Sequence, residues 1–379
     1  MSLIRLGIDA SAMLVARKNG YEVYATQLIS AISQLPSSEL TGLEIFLYFY
    51  VGNRFADPSL LQQVLPAFSY FHTRVYRLRR GYEIALPILC WLDRLDWLHL
   101  PVHIFKRRFP CRVLSTFHDA CVTRLGENAL AWDGARGVEA MISKQLAISD
   151  RFIAVSQSTR NDMIAFYGVS PQLINTVPHG VDPHFRFDSQ EARRIRELYD
   201  LPPYILSVNA LQANKNYPRL LEAFALLRKE RHLTQVLVIV GREGWGSQEI
   251  LNKLNSLDLG DSVRILGYVP AEHLVGLYSG ADLVVNPSLC EGFGLPILEA
   301  LACDAIIAAS SSTSLPEVGG QAVGYFDPYN VSSIADMIFL LLTEEKERVQ
   351  LRKNSREQLD KFTWKNAAKD TVDVYRSLI

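Results

Sequence analysis

Short β-branched runs alternate with amphipathic stretches along nearly all of this chain, and the alternation is interrupted once. In the first half, residues 4–8, 43–51, 111–117 and 152–155 read as strands, while 23–35 and 139–147 carry apolar positions at helical spacing. In the second half, strands are expected at 204–208, 235–240, 263–266, 283–285 and 305–308. Helices are expected there at 217–228, 248–257, 271–278, 296–302 and 331–342, with Pro296 in a first turn, where a helix tolerates proline. Strand–helix alternation of this kind builds parallel sheets covered by helices. The break runs from Pro178-His-Gly180 through polar residues 185–200 to Pro202-Pro203. It separates two Rossmann-like doubly wound domains, 1–184 and 185–361, and 379 residues suffice for both. The last segment, 362–379, is amphipathic behind a capping Thr363.

Composition narrows the classes. Apolar residues form 49% and charged residues 21% of the chain, which excludes a disordered or low-complexity protein. Lys plus Arg number 39 against 40 for Asp plus Glu, so no basic excess points to nucleic acid. Five cysteines (Cys90, Cys111, Cys121, Cys290, Cys303) at irregular spacings fit neither a disulfide framework nor a zinc site, and a reducing cytosol is the expected home. The start reads as a strand rather than a leader. No apolar run approaches the ~20 residues of a membrane-spanning helix.

The most informative stretch is Asn286-Pro-Ser-Leu-Cys-Glu291-Gly292-Phe293-Gly294-Leu295-Pro-Ile-Leu-Glu299. A strand ends, a turn with two glycines comes next, and a helix begins. Glycines admit a ligand close to the backbone, and unpaired N–H groups at the helix start attract anions, so a phosphate or diphosphate fits. Glu299 is then placed to take ribose hydroxyls, with Glu291 facing the group attached to the diphosphate. The plain alternative is a tight turn with Glu291 as a cap and Glu299 solvated. Lys215 offers a fixed ammonium for the charge that grows on a departing nucleoside diphosphate.

This string resembles the glutamate–seven-residue–glutamate signature of the retaining glycosyltransferases of family four, which have the GT-B fold. The likeness extends over nearly the whole chain, in family order. It includes Thr116-Phe-His118-Asp119, Val177-Pro-His-Gly180-Val-Asp182, Asn214-Lys215-Asn216, Val263-Arg-Ile-Leu-Gly267-Tyr-Val269, Ser314-Leu-Pro-Glu317 and Phe362-Thr-Trp364. The resemblance implies two domains facing across a cleft, with 362–379 crossing back to the first. It implies catalytic roles for Glu291, Lys215 and His118. Donor contacts would come from Gly20, Asn209, Arg242, Val269, Gly292, Phe293, Gly294, Leu295 and Glu299, and Tyr24 and Asp119 would lie on the acceptor side. It also implies front-face displacement with retention of configuration and no cofactor or metal, the sugar nucleotide being a co-substrate.

Within the family, the strings around Glu291 and Glu317 are most similar to bacterial mannosyl- and rhamnosyltransferases of O-antigen and surface-polysaccharide synthesis. The expectation is therefore a GDP-linked hexose donor, mannose first, and a lipid-linked oligosaccharide acceptor. The alternatives are a UDP-sugar-dependent glucosyl- or N-acetylglucosaminyltransferase, or a catalytically weak sugar-nucleotide-binding subunit of a polysaccharide-assembly complex. Departures from the family pattern keep the last open: Asn209-Ala210 replace a glycine and an arginine, and of one glycine-rich loop only Gly20 and Tyr24 remain. The segment 74–112 is locally basic, with Arg79, Arg80, Arg107 and Arg108 among its cations and Trp91 and Trp97 interleaved. This suits docking on an anionic membrane, and a cytoplasmic protein peripheral to the inner membrane face is the expected localisation.

Overall fold

The computed structural model describes residues 3–52, 56–77, 82–102, 105, 108–126 and 134–378. The chain forms two units. One comprises Met1–Ala120, Gly134–Gly180 and Thr363–Ile379; the other comprises Cys121–Asp133 and Val181–Phe362.

The first unit holds a seven-stranded parallel sheet of β1 (Ile4–Asp9), β2 (Leu43–Tyr50), β3 (His72–Tyr76), β4 (Trp97–Leu100), β5 (Arg112–Phe117), β6 (Arg151–Ala154) and β7 (Ile174–Thr176). The order is β3-β2-β1-β4-β5-β6-β7, so its direction reverses between β1 and β4. Leu6 stands opposite Ile45 on one side and Trp97 on the other, which fixes the centre of the sheet. The helix Gly20–Ser33 starts from a capping box, Asn19 with Glu22, and buries Tyr24, Leu28 and Ile32. Three of these strands, β3, β4 and β7, are absent from the sequence reading. They have five, four and three residues, and a run containing His72 and Arg74, or a histidine inside Trp97–Leu100, is too short and polar to show a strand period.

Thr363 does cap the last helix, accepting the Asn366 N–H at 3.1 Å. That helix, Trp364–Arg376, sinks Trp364, Ala368, Val372 and Tyr375 into the core of the first unit. It is also held by polar contacts: Trp97 Nε1 donates to the Leu378 carbonyl, and His99 Nδ1 shares a 2.7 Å hydrogen bond with the Tyr375 hydroxyl.

The second unit holds a six-stranded parallel sheet of β8 (Tyr204–Val208), β9 (Val236–Val240), β10 (Val263–Gly267), β11 (Leu283–Asn286), β12 (Ile307–Ser310) and β13 (Gly324–Phe326), ordered β10-β9-β8-β11-β12-β13. Its direction reverses between β8 and β11. Helices Tyr217–Glu230 and Val331–Thr343 pack on the sheet through Leu220, Phe224, Ile334 and Ile338.

Two expectations are corrected. Cys121 and Cys290, 169 residues apart in sequence, form a disulfide, with Cα atoms 5.6 Å apart. Cysteine spacing could not reveal a pair made by tertiary proximity, and the cysteines no longer point to a reducing compartment. The segment 121–133, read from sequence as part of the first domain, clusters with the second unit, to which this bond ties it.

Candidate active site

In open parallel sheets, ligands bind beyond the carboxyl ends of the strands, where the strand order reverses. In the second unit that point is flanked by the loops after β8 and β11, and these carry Lys215 and Glu291. The β8 loop closes in a short turn, Ala213–Lys215, and Asn216 enters the next helix with φ 57°. Backbone pairing joins the two loops: Leu289 N–H donates to the Asn214 carbonyl at 2.8 Å, and Asn214 Nδ2 to the Cys290 carbonyl at 3.2 Å. Lys215 Nζ then meets Glu291 Oε1 at 2.7 Å, each side chain only 12% exposed. Ser288 Oγ lies 2.8 Å from the same oxygen. The pair is a preformed charge site whose ammonium can exchange its carboxylate partner for an incoming anion.

The turn continues through Gly292 and buried Phe293 to Gly294, and the helix Leu295–Ala302 begins with Pro296 in its first turn. Gly294 has φ 102°, and a Cβ there would lie 2.6 Å from Leu315 Cδ2, so only glycine fits. On that helix Glu299 accepts the Tyr278 hydroxyl at 2.9 Å. Burial raises its pKa to about 7, offset in part by the Tyr278 hydrogen bond and reinforced by Asp182.

Asn209 follows β8, its amide 3.5 Å from Asn286 Oδ1 and its carbonyl accepting the Tyr217 hydroxyl. Gly241 packs so closely on it that a Cβ would sit 2.0 Å from the Asn209 oxygen. Val269 is buried. Arg242, expected to bring charge to a nucleotide, is exposed.

Gly20, Tyr24, His118 and Asp119 belong to the first unit. There the loops after β1 and β5 gather rings. His118 lies edge-on to Tyr24 at 5.0 Å and against Tyr21 at 4.7 Å, and Tyr21 donates its hydroxyl to Asp119 Oδ2 at 2.8 Å. His179 is sandwiched between Tyr24 and Trp364 at 4.6 and 5.7 Å. His118 Nε2 donates to the Pro101 carbonyl at 2.8 Å. Burial holds the pKa of His118 below its ordinary value and that of His179 well below, so both rings stay neutral near pH 7. Gly20 opens the helix that carries Tyr21 and Tyr24.

Sequence reasoning missed Ser288, Tyr278, Tyr21 and His179 as site neighbours, because their roles come from contacts across the fold. Arg79, Arg80 and Arg107 lie outside the described residues, while Arg108 is exposed. The helix Tyr82–Leu92 buries Ala85, Leu86 and Cys90 and leaves Ile84, Ile88, Trp91 and Leu92 exposed at 51–67%. Among the described residues no helix is long and apolar enough to cross a membrane, and no group of three acidic, histidine or cysteine side chains could hold a metal ion.

Residues 41–185 match the profile of Glycosyltransferase Family 4, and residues 188–358 that of Glycosyl transferases group 1. The chain is 30% identical over 270 residues to the O-antigen chain mannosyltransferase B of Escherichia coli, covering 70% of this chain and 71% of the relative. It is 32% identical over 237 residues to the serotype-specific mannosyltransferase WbdA of Escherichia coli, spanning 61% of this chain but only 29% of that longer protein. Among solved structures, the sucrose-phosphate synthase of Thermosynechococcus elongatus superposes with a TM-score of 0.75 at 20% identity, over 99% of each chain, and so shares the fold.

Proposed function

Because this chain belongs to the family-four glycosyltransferases, with the GT-B fold, we propose that it transfers mannose, with retention of configuration, from GDP-mannose to a lipid-linked oligosaccharide in O-antigen or surface-polysaccharide synthesis. The observation that carries the reading is the Lys215–Glu291 pair at the strand-order reversal, beside the Gly292–Gly294 turn. In this reading Lys215 leaves Glu291 for the diphosphate, whose growing charge it stabilises together with backbone amides of the turn. Glu291, released, supports the sugar as positive charge develops at its anomeric carbon. A diphosphate oxygen takes the proton of the acceptor hydroxyl as that hydroxyl attacks from the same face. Glu299 accepts from the ribose. Lysine and amides do the work a divalent ion does elsewhere, so activity should survive exhaustive EDTA treatment; loss with EDTA and rescue by Mg²⁺ would remove this part.

An acceptor linked to lipid calls for membrane proximity, and the exposed stripe of Ile84, Ile88, Trp91 and Leu92, in a segment rich in arginine, supports attachment to an anionic membrane face. Sedimentation with phosphatidylglycerol vesicles should weaken in Ile88→Ser/Trp91→Ser; binding unchanged by these substitutions would refute the attachment.

The deciding experiment for the donor is a thermal-shift panel of GDP, UDP, ADP and dTDP, followed by transfer from the matching mannose or hexose donor. The true nucleotide at large excess adds about 3–4 kcal/mol of apparent stability. Preference for UDP would replace the donor assignment, and binding without turnover would point to a sugar-nucleotide-binding subunit.

A further inference from the structure

Thr313, between β12 and the short helix Leu315–Gly319, has φ 51°. Left-handed backbone suits glycine and asparagine. A β-branched residue there is a genuine outlier that persists only where its surroundings hold it. Its contacts show what the conformation achieves. Thr313 Oγ1 accepts the backbone N–H of Glu291 at 3.0 Å. The buried hydroxyl of Ser314 lies 3.0 Å from the Glu291 carbonyl and 2.8 Å from the Phe293 carbonyl, a proton shared between two acceptors. Leu315 closes against Gly294. Three consecutive residues therefore engage both backbone polar groups of Glu291 and the turn behind it. Lys215 and Ser288 engage its carboxylate from the other side.

We propose that Thr313 and Ser314 are positioning residues for Glu291, fixing its backbone so that the carboxylate stands where the transferred sugar needs it. The proposal rests on the reading of Glu291 as the carboxylate facing the sugar. The strain at Thr313 is retained because a glycine there, though it relaxes the backbone, brings no hydroxyl to the Glu291 amide. Small displacements of a catalytic group are costly: about 1 Å can mean a hundred-fold in rate.

Three variants separate this role from a purely structural one. Thr313→Gly relieves the backbone and removes the hydroxyl, Thr313→Val keeps the shape, and Thr313→Ser keeps the hydroxyl. In Thr313→Gly and Thr313→Val, kcat should fall about ten-fold, while donor KM and nucleoside diphosphate affinity stay within about two-fold. The melting temperature of Thr313→Gly should not drop, and Thr313→Ser should recover most of the rate. Wild-type kcat in the glycine variant, or a joint fall of melting temperature, affinity and rate, would overturn the proposal. Hydrogen exchange of the 286–295 peptide, measured without substrate, gives a second readout: faster in Thr313→Gly, unchanged in Thr313→Ser. Unchanged exchange in the glycine variant would also overturn it. Faster exchange in an enzyme whose wild type transfers no sugar would instead sink the functional reading and leave the backbone clasp standing.

Discussion

The loops beyond the first sheet gather neutral rings, whereas those beyond the second gather opposite charges. Tyr21, Tyr24, His118, His179 and Trp364 pack against one another in the first unit, and both imidazoles are held uncharged. In the second unit an ammonium and a carboxylate meet at 2.7 Å, with Glu299 farther along the same strand-turn-helix segment. The scaffolds are alike, parallel sheets with one reversal of order, so the difference lies in the loops that leave the strands. Stacked rings with hydroxyl and imidazole edges suit a polyhydroxylated, uncharged ligand. A buried ion pair beside glycine amides suits a diphosphate.

The largest break in this comparison should come from Lys215→Ala. Ala210 supplies no second cation, so turnover should fall roughly 10²–10³-fold, the scale for losing one preorganised electrostatic group. Steady-state kinetics with near-normal kcat would show that the charge of the second unit is not directed at the leaving group. Next come the two glutamates. Glu291→Gln should lower kcat about ten-fold or more with nucleoside diphosphate affinity nearly unchanged, whereas Glu299→Gln should raise donor KM with a smaller change in kcat. The reverse pattern in calorimetry and kinetics would exchange their roles.

The pH dependence of stability sharpens the contrast, because one group in each unit works against the other. Burial, with the nearby His118 adding, drives the pKa of His99 from 6.5 to about 3, so its imidazole is neutral when folded and protonates on unfolding. Its contribution is complete above pH 6.5 and is lost on acidification, by up to about 1.4 kcal/mol per pH unit, down to pH 3. Glu299 has the opposite sign. Its folded pKa of about 7 exceeds the ordinary 4.5, so the native state keeps a proton that the unfolded chain releases, and stability falls as pH rises between these values. Thermal melts across pH 4–8 should lose the acid-side decline in His99→Gln and the neutral-side decline in Glu299→Gln. Profiles parallel to wild type in both would refute the assignment. A further effect is expected at Cys121–Cys290. Reduction should cost the second unit a few kcal/mol, within the usual ~2–4. Melting curves of Cys121→Ser should then no longer respond to reductant.

The two parallel sheets were legible in the sequence because each rests on local periodicity: long apolar strands such as Leu43–Tyr50 and Val236–Val240 announce themselves. The turn at Glu291–Leu295 was legible for the same reason, its glycines, proline and glutamates lying in one continuous string. The contact of Lys215 with Glu291 was not legible, since 76 residues separate them. Thr313 was invisible. Nothing in Ser-Ser-Thr-Ser announces a left-handed threonine, and its partner is the amide of a residue 22 positions earlier. Tyr278 and Glu299, and Cys121 and Cys290, are likewise joined by tertiary packing alone.

The closing helix has a consequence for biosynthesis. Its Trp364 and Tyr375 complete a core begun by Leu6, Tyr24 and Leu28, so the half of the protein made first lacks part of its interior until residues 364–375 have been made. The later-made unit, nearly contiguous in sequence, has all its own residues before the helix Trp364–Arg376 is made. Assembly is therefore expected to run against the usual vectorial order, in which the leading domain folds first. A chain truncated after residue 362 would hold every residue of the trailing unit and leave the leading one open.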